Sequence, residues 1–93
     1  MLPVQWLTKA RNNLATIIEY IAERNDDAAD ELQDEIERAA SQLPQHPYLY
    51  RPGRVAGTRE LVVHPNYVIV YRIKPAVIEI VNVLHTRQQY PAR

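Results

Sequence analysis

Residues 58–84, TRELVVHPNYVIVYRIKPAVIEIVNVL, decide the fold. Three runs rich in β-branched and aromatic residues predict strands at 58–63, 67–73 and 77–84. A turn separates the first two runs, because Pro65 fixes φ at its second corner and Asn66 tolerates its third. Lys74–Pro75 ends the second run. Since both connections are short, we expect hairpins, and therefore an antiparallel meander.

The last predicted strand is apolar on both of its faces. Alternation along the strand gives one face Ile78, Ile80 and Leu84, and gives the other face Val77, Val81 and Val83. A strand with two apolar faces is expected to lie inside a sheet and to be covered, at least in part, on both sides.

The first half of the chain predicts a short strand followed by two helices. PVQW at 3–6 is short and apolar, and Thr8 just after it is a possible helix cap. Apolar residues then recur at steps of three and four, in Ala10, Leu14, Ile17 and Ile21 and again in Ala29, Leu32, Ile36, Ala39 and Leu43. Asn25 or Asp26 can cap the second helix, and Pro44 begins the stretch that ends it.

These elements give the order β-α-α-β-β-β within one domain, residues 1–93. The predicted fold class is α+β: an N-terminal strand, an antiparallel helix hairpin and a three-strand antiparallel meander. A chain of 93 residues is long enough for one domain with a thin core.

Composition excludes several classes of site. The chain has no cysteine, which excludes disulfides and thiolate zinc sites and suits a reducing compartment. The three histidines are not at metal-binding spacings, and there is no glycine-rich phosphate loop, so no metal or cofactor is expected. No apolar run reaches 18 residues and no signal peptide is recognisable, so we expect a cytoplasmic protein without a membrane partner.

Charge is divided unequally between the two halves of a chain whose net charge is zero. Residues 1–50 hold four basic and nine acidic side chains, whereas residues 51–93 hold seven basic and two acidic ones. The halves therefore carry −5 and +5. Either the molecule has one basic side that meets an anion, or acidic residues simply occupy solvated helix faces.

The basic residues near the C-terminus suggest a site. Alternation places His85 and Arg87 on the face of Val81 and Val83, and a helix hairpin over the opposite face would leave them open to solvent. With Arg59 and Arg72 on neighbouring strands, they would form an anion site capable of acid–base chemistry on RNA. The alternative is that the arginines are solvated and that His85 only ends the strand.

Two segments resemble a known superfamily. GTRELVVHPNYVIVYRI (57–73) and VIEIVNVLHTRQQYP (77–91) resemble the RelE/ParE superfamily of bacterial type II toxins, and HPYLY (46–50) and HPNY (64–67) resemble its ParE-like branch. The resemblance implies a small cytosolic toxin neutralised by a cognate antitoxin in a hetero-oligomeric complex. ParE-type members inhibit DNA gyrase by binding, without chemistry of their own.

RelE-type members of the same superfamily instead cut mRNA on the ribosome. The residues that match this chemistry are Arg59, Arg72, His85, Arg87 and Tyr90, and the same five would otherwise form a partner-binding surface. Lys9 and Lys74 are the only lysines, so the lysine-rich centre of RelE is missing. The sequence therefore favours a ParE-like gyrase inhibitor, with a RelE-type endonuclease acting on the ribosome and mRNA as the alternative.

Overall fold

A computed structural model describes residues 1–87, so Tyr90 and the rest of 88–93 lie outside the described residues. The helices are α1 (Thr8–Ala22), α2 (Asp26–Gln42) and a short 3-10 turn (Leu43–Gln45). The strands are β1 (Val4–Trp6), β2 (Arg51–Pro52), β3 (Arg59–His64), β4 (Tyr67–Ile73) and β5 (Ile78–His85).

The strands form one five-stranded mixed sheet in the order β1-β5-β4-β3-β2. β1 pairs with β5 in parallel, and every other neighbouring pair is antiparallel. The chain between β1 and its parallel partner β5 contains the helix hairpin and the other three strands, which is more than the dozen or so residues that a parallel crossover needs. The α+β class, the helix hairpin and the meander of β3, β4 and β5 are confirmed. Strand β2 was not predicted, because its two residues include Pro52, which is tolerated only at a sheet edge.

The start of α2 is fixed by a side-chain cap. Asn25 adopts extended backbone angles, and its Oδ1 accepts a hydrogen bond from the Ala28 N–H at 3.0 Å. Asp26 and Asp27 in the first turn oppose the positive end of the helix dipole. Thr8, by contrast, is the first residue of α1 rather than its cap, and the preceding Leu7 makes no side-chain capping bond.

The main core lies between the helices and one face of the sheet, here called the helix face. Its buried members are Ala10, Leu14, Leu32, Ile36, Ala40, Leu43, Leu61, Ile69, Tyr71, Ile78, Ile80 and Val83. A second, smaller cluster joins Val68, Val70 and Leu84 on the opposite face, with Val81 packed against it. Strand β5 is internal and contributes to both clusters, as its two apolar faces predict.

A β-bulge in β5 changes which side chains share a face. Tyr71 pairs with Ile80 but Val70 pairs with Asn82, so Val81 is an extra residue on β5. A one-residue insertion reverses the alternation beyond it. The prediction that Leu84 shares a face with Ile78 and Ile80 is therefore wrong: Leu84 packs in the opposite cluster. Val83, predicted on the other face, belongs to the main core.

Candidate functional site

Arg59 fixes the backbone of the loop that follows the 3-10 turn. It pairs with Tyr71 across β3 and β4, so its side chain lies on the helix face. Its Nη1 donates to the carbonyl oxygens of Tyr48 at 3.2 Å and Tyr50 at 2.8 Å. The guanidinium carbon also lies 5.1 Å from the centre of the Tyr48 ring. Arg59 is therefore engaged within the chain by hydrogen bonds and a cation–π contact.

A second anchor of the same loop is the Tyr71 hydroxyl, which donates to the Pro47 carbonyl oxygen at 2.6 Å. Burial raises the pKa of Tyr71 to about 12, and the nearby Arg59 charge opposes part of that rise. The phenol is thus a neutral donor at physiological pH. Residues 46–50, here called the aromatic loop, are held at Pro47, Tyr48 and Tyr50.

Arg72 lies on the other face of the sheet. It sits beside Tyr71 on β4 and pairs with Glu79 of β5. Its Nη1 is 3.7 Å from Glu79 Oε1, and Lys74 Nζ is 3.6 Å from Glu79 Oε2. Two cations thus share one largely buried carboxylate, and Arg72 keeps 40% of its side chain exposed.

His85 belongs to a row of three rings at the far end of the sheet. It pairs with Tyr67, and their ring centres are 5.3 Å apart in an edge-on arrangement. His64, on the other side, has its ring centre 5.8 Å from that of Tyr67. Tyr67 packs against the main core, so this row, here called the histidine row, lies on the helix face.

Backbone hydrogen bonds occupy one nitrogen of each histidine in the row. The Asn66 N–H donates to His64 Nδ1 and the Arg87 N–H donates to His85 Nδ1, both at 3.1 Å. Because Nδ1 accepts, the neutral ring carries its proton on Nε2. In this tautomer the Nε2 of His85 is a hydrogen-bond donor rather than a base.

The predicted cluster of basic residues on one open face is not formed. Arg59 lies opposite Tyr71 of β4, and Arg72 is the next residue of β4. Because successive strand residues point to opposite faces, the two arginines lie on opposite faces of the sheet. His85 faces the helix side because the bulge at Val81 reverses the alternation. Arg87 is exposed just beyond β5, and Tyr90 lies outside the described residues. The prediction that Arg59, Arg72 and His85 share an open face is therefore wrong.

Glu60 is a buried carboxylate that was not among the predicted site residues. It is 3% exposed, and its Oε1 lies 2.9 Å from Arg51 Nη2 and 3.1 Å from Arg51 Nε. Its Oε2 accepts the Arg54 N–H at 3.2 Å. Buried carboxylates are stable only when paired in this way. The sequence does contain a signal for this ion-pair site, because Glu60 is the only acid between residues 51 and 78.

A groove of about 540 Å³ lies between α1 and α2 beside Trp6, with Leu14 and Ile18 in its lining. Within residues 1–87, no group of three or more metal-ligating side chains comes together. No helix of the described chain is long and apolar enough to cross a membrane.

Two proteins of related sequence span nearly the whole chain. The toxin homologue Y4kP of Sinorhizobium fredii is 39% identical over 89 residues, covering 95% of this chain and 92% of its own length. Toxin RelE2 of Caulobacter vibrioides is 34% identical over 87 residues, covering 91% of this chain and 96% of its own length.

Solved structures share the fold. The chromosomal ParDE toxin–antitoxin system of P. aeruginosa contains a chain with a TM-score of 0.83 and 22% identity, covering 91% of this chain and 96% of that one. YafQ from E. coli gives a TM-score of 0.62 at 12% identity, covering 92% of this chain and 94% of the YafQ chain. At these identities the likeness concerns the fold.

A family model for the ParE toxin of the type II toxin–antitoxin system parDE matches residues 4–90, which is almost the whole chain. The relatives of known sequence are toxins, and the fold is that of a ParDE chain. This chain therefore belongs to the ParE toxin family of type II toxin–antitoxin systems, within the RelE/ParE superfamily.

Proposed function

We propose that this toxin acts by binding DNA gyrase and inhibiting it, without catalysing a reaction, and that a cognate antitoxin neutralises it in the cytoplasm. The ParE family and the ParDE fold support a ParE-type action. The absence of cysteine suits the proposed compartment.

The observation that carries the non-catalytic part is the separation of the candidate catalytic groups. An RNA-cleaving site needs a base, an acid and cations around one phosphate. Here Arg59 holds two loop carbonyls, Arg72 pairs with Glu79 on the opposite face, and His85 lies at the far end of the sheet. These three do not surround a common position.

The hydrogen bond that His85 accepts supports the same interpretation. A base that removes a proton from a ribose 2′-hydroxyl must present an unprotonated nitrogen to it. His85 uses its unprotonated Nδ1 to accept the Arg87 N–H, which leaves the proton of the neutral ring on Nε2. Catalysis by His85 would require that backbone bond to break.

The second candidate function is a RelE-type ribosome-dependent mRNA endonuclease. One relative of known sequence is named RelE2, at 34% identity, and YafQ shares the fold. In that case His85, Arg59, Arg72, Arg87 and Tyr90 would be the catalytic residues, and substrate binding would have to bring them together.

An antitoxin is part of the proposal because structural neighbours are toxin–antitoxin complexes, namely RelBE2 of Mycobacterium tuberculosis and DinJ–YafQ of E. coli. Arg87 is exposed and Arg72 is partly exposed, so both could meet an acidic antitoxin segment. Changing both to alanine should weaken antitoxin binding in a salt-dependent manner. An unchanged affinity would remove the electrostatic part of this proposal.

The test is induced expression in a sensitive host, with plasmid supercoiling, DNA replication and mRNA integrity followed over the first minutes. We expect loss of supercoiling and stalled replication while mRNA stays intact, for both the wild-type toxin and His85→Ala. Rapid mRNA cleavage that His85→Ala abolishes would establish the RelE-type alternative instead.

A further inference from the structure

The tip of the aromatic loop presents two large side chains to solvent. Tyr48 and Leu49 are 68% and 69% exposed, more than any other large apolar side chain of residues 1–87 except that of Met1. Single exposed apolar residues are ordinary on protein surfaces. Two adjacent ones at the tip of a fixed loop are a different feature, because together they offer a contact area that an interface can bury.

The loop is held in place by side chains from strands β3 and β4. Arg59 bonds the carbonyls on either side of Leu49, and the buried Tyr71 hydroxyl bonds the Pro47 carbonyl. The His46 and Tyr50 rings also contact each other edge-on, with their centres 5.9 Å apart. A segment that is already ordered loses little conformational entropy on binding, so its contacts contribute more to affinity.

The surroundings of the loop are basic and partly concave. Residues 51–60, which follow the loop, hold Arg51, Arg54 and Arg59 against the single acid Glu60, a net charge of +2. Arg51 and Arg54 pair with Glu60, whereas Arg59 lies on the helix face beside the loop. A cavity of about 350 Å³ adjoins the loop and is lined by Tyr48, Pro52, Gly57, Thr58, Arg59 and Ile73. A partner for this surface should therefore be acidic around its own apolar contact.

We propose that the aromatic loop is the surface with which this toxin contacts its protein target, and that Tyr48 and Leu49 enter a cleft with an acidic rim on a folded protein. The reason for a folded partner is geometric. Tyr48 and Leu49 project into solvent and need a concave receptor, which the surface of a folded protein can offer and a single extended or helical antitoxin segment cannot. Arg59 and Tyr71 are positioning residues for this contact. The inference rests on the proposed function, action by binding a protein.

The test compares three toxins at equal soluble levels: the wild type, the Tyr48→Ala/Leu49→Ala double variant and Tyr20→Ala. Tyr20 is a matched control, because it is 58% exposed and has the Arg24 guanidinium 4.0 Å from its ring centre, but it lies on α1. Growth arrest on induction, the affinity for purified antitoxin and the thermal midpoint are measured for each. A fourth variant, Arg59→Met, keeps both tip side chains and releases the loop.

We expect the double variant to need on the order of 30-fold more toxin for the same growth arrest. Tyr20→Ala should match the wild type, Arg59→Met should lie between them, and antitoxin affinity should stay within about twofold for the double variant. Unchanged growth arrest in the double variant would overturn the proposal. So would a parallel loss of antitoxin affinity, because the surface would then belong to the antitoxin.

The measurements distinguish a failure of the gyrase proposal from a failure of the aromatic-loop proposal. Supercoiling and mRNA integrity in the wild-type strain report on the target, whereas the ratio of growth arrest between variants reports on the loop. If the wild type cuts mRNA, gyrase inhibition is refuted and the loop is still judged by that ratio. If the wild type causes no growth arrest, both proposals are overturned.

Discussion

The two ends of the β3–β4 hairpin carry similar residues and use them differently. At one end, Arg59 and Tyr71 donate to backbone carbonyls of the aromatic loop and hold Tyr48 in solvent. At the other end, the rings of the histidine row pack in edge-on and tilted contacts, and the Nδ1 atoms of both histidines accept backbone N–H groups. Both ends contain residues typical of active sites, and at both ends the polar atoms stabilise the fold.

The two ends differ in which groups remain available to bind a partner. The loop end presents apolar area and positive charge, which suit a protein–protein contact. The histidine end presents Nε2–H donors beside a tyrosine, with the Nδ1 lone pairs already used. If the toxin acts by binding, the loop end should therefore matter more than the histidine end.

The largest expected effect on stability comes from removing the loop anchor. Arg59→Met should lower the free energy of unfolding by about 2–3 kcal/mol, since two carbonyls lose a charged donor. Arg72→Met is the control, because its ion pair with Glu79 is partly exposed and longer, and it should cost less than about 1 kcal/mol. Urea titrations of both variants give the comparison, and equal losses would contradict a special role for Arg59.

The second effect is a loss of stability at alkaline pH. Burial raises the pKa of Tyr71 to about 12, while the unfolded phenol ionises near the ordinary value of 10.0. The folded state holds this proton more tightly, so its stability is complete below pH 10 and falls as the pH rises through 12. By pH 12 the wild type should lose about 2 kcal/mol more than Tyr71→Phe, which has no phenol to ionise here. Parallel pH curves for the two proteins would refute the raised pKa.

A smaller effect is expected at neutral pH from the same phenol. Tyr71→Phe should cost about 1 kcal/mol in unfolding free energy, because the Pro47 carbonyl loses its donor. Tyr67→Phe is the matched control at the histidine end. Tyr67 contacts both histidines through its ring, which phenylalanine keeps, so this variant should lose less unfolding free energy. Thermal or urea unfolding at pH 7 distinguishes them, and a larger loss for Tyr67→Phe would reverse the comparison.

The smallest expected effect on toxicity belongs to the histidine row. His85→Ala should arrest growth within about twofold of the wild-type dose, because a binding toxin makes no use of its proton chemistry. The measurement is the inducer dose that halves growth, at matched soluble protein. A toxin inactivated by this change and still bound by its antitoxin would show that His85 takes part in the activity.

Most of the fold could be predicted because local signals agreed with each other. The turn at Pro65 and Asn66, the 3–4 spacing in both helices and the apolar run of β5 all indicate the same architecture. Two features lacked such signals. The bulge inserts Val81 into a largely apolar run with no glycine or proline to mark it, and β2 contains only two residues.

The candidate site was predicted less well, for a related reason. A face assignment depends on every residue between two positions, so one unrecognised bulge moved His85 to the helix face. The anchors of the aromatic loop were also missed, because Arg59 and Pro47 meet their partners only in the folded chain. Pro44 marked the end of the second helix in sequence, but periodicity carries no information about a loop held by distant side chains.

The central claim is that the toxin acts by binding, and a supercoiling assay with purified DNA gyrase tests it most directly. Wild-type toxin and His85→Ala are titrated into gyrase, and bound toxin is measured in the same samples. The account predicts saturable binding, inhibition that follows the bound fraction, and the same curve for both proteins. Wild-type toxin that neither binds nor inhibits gyrase, but cleaves mRNA on translating ribosomes, would contradict it.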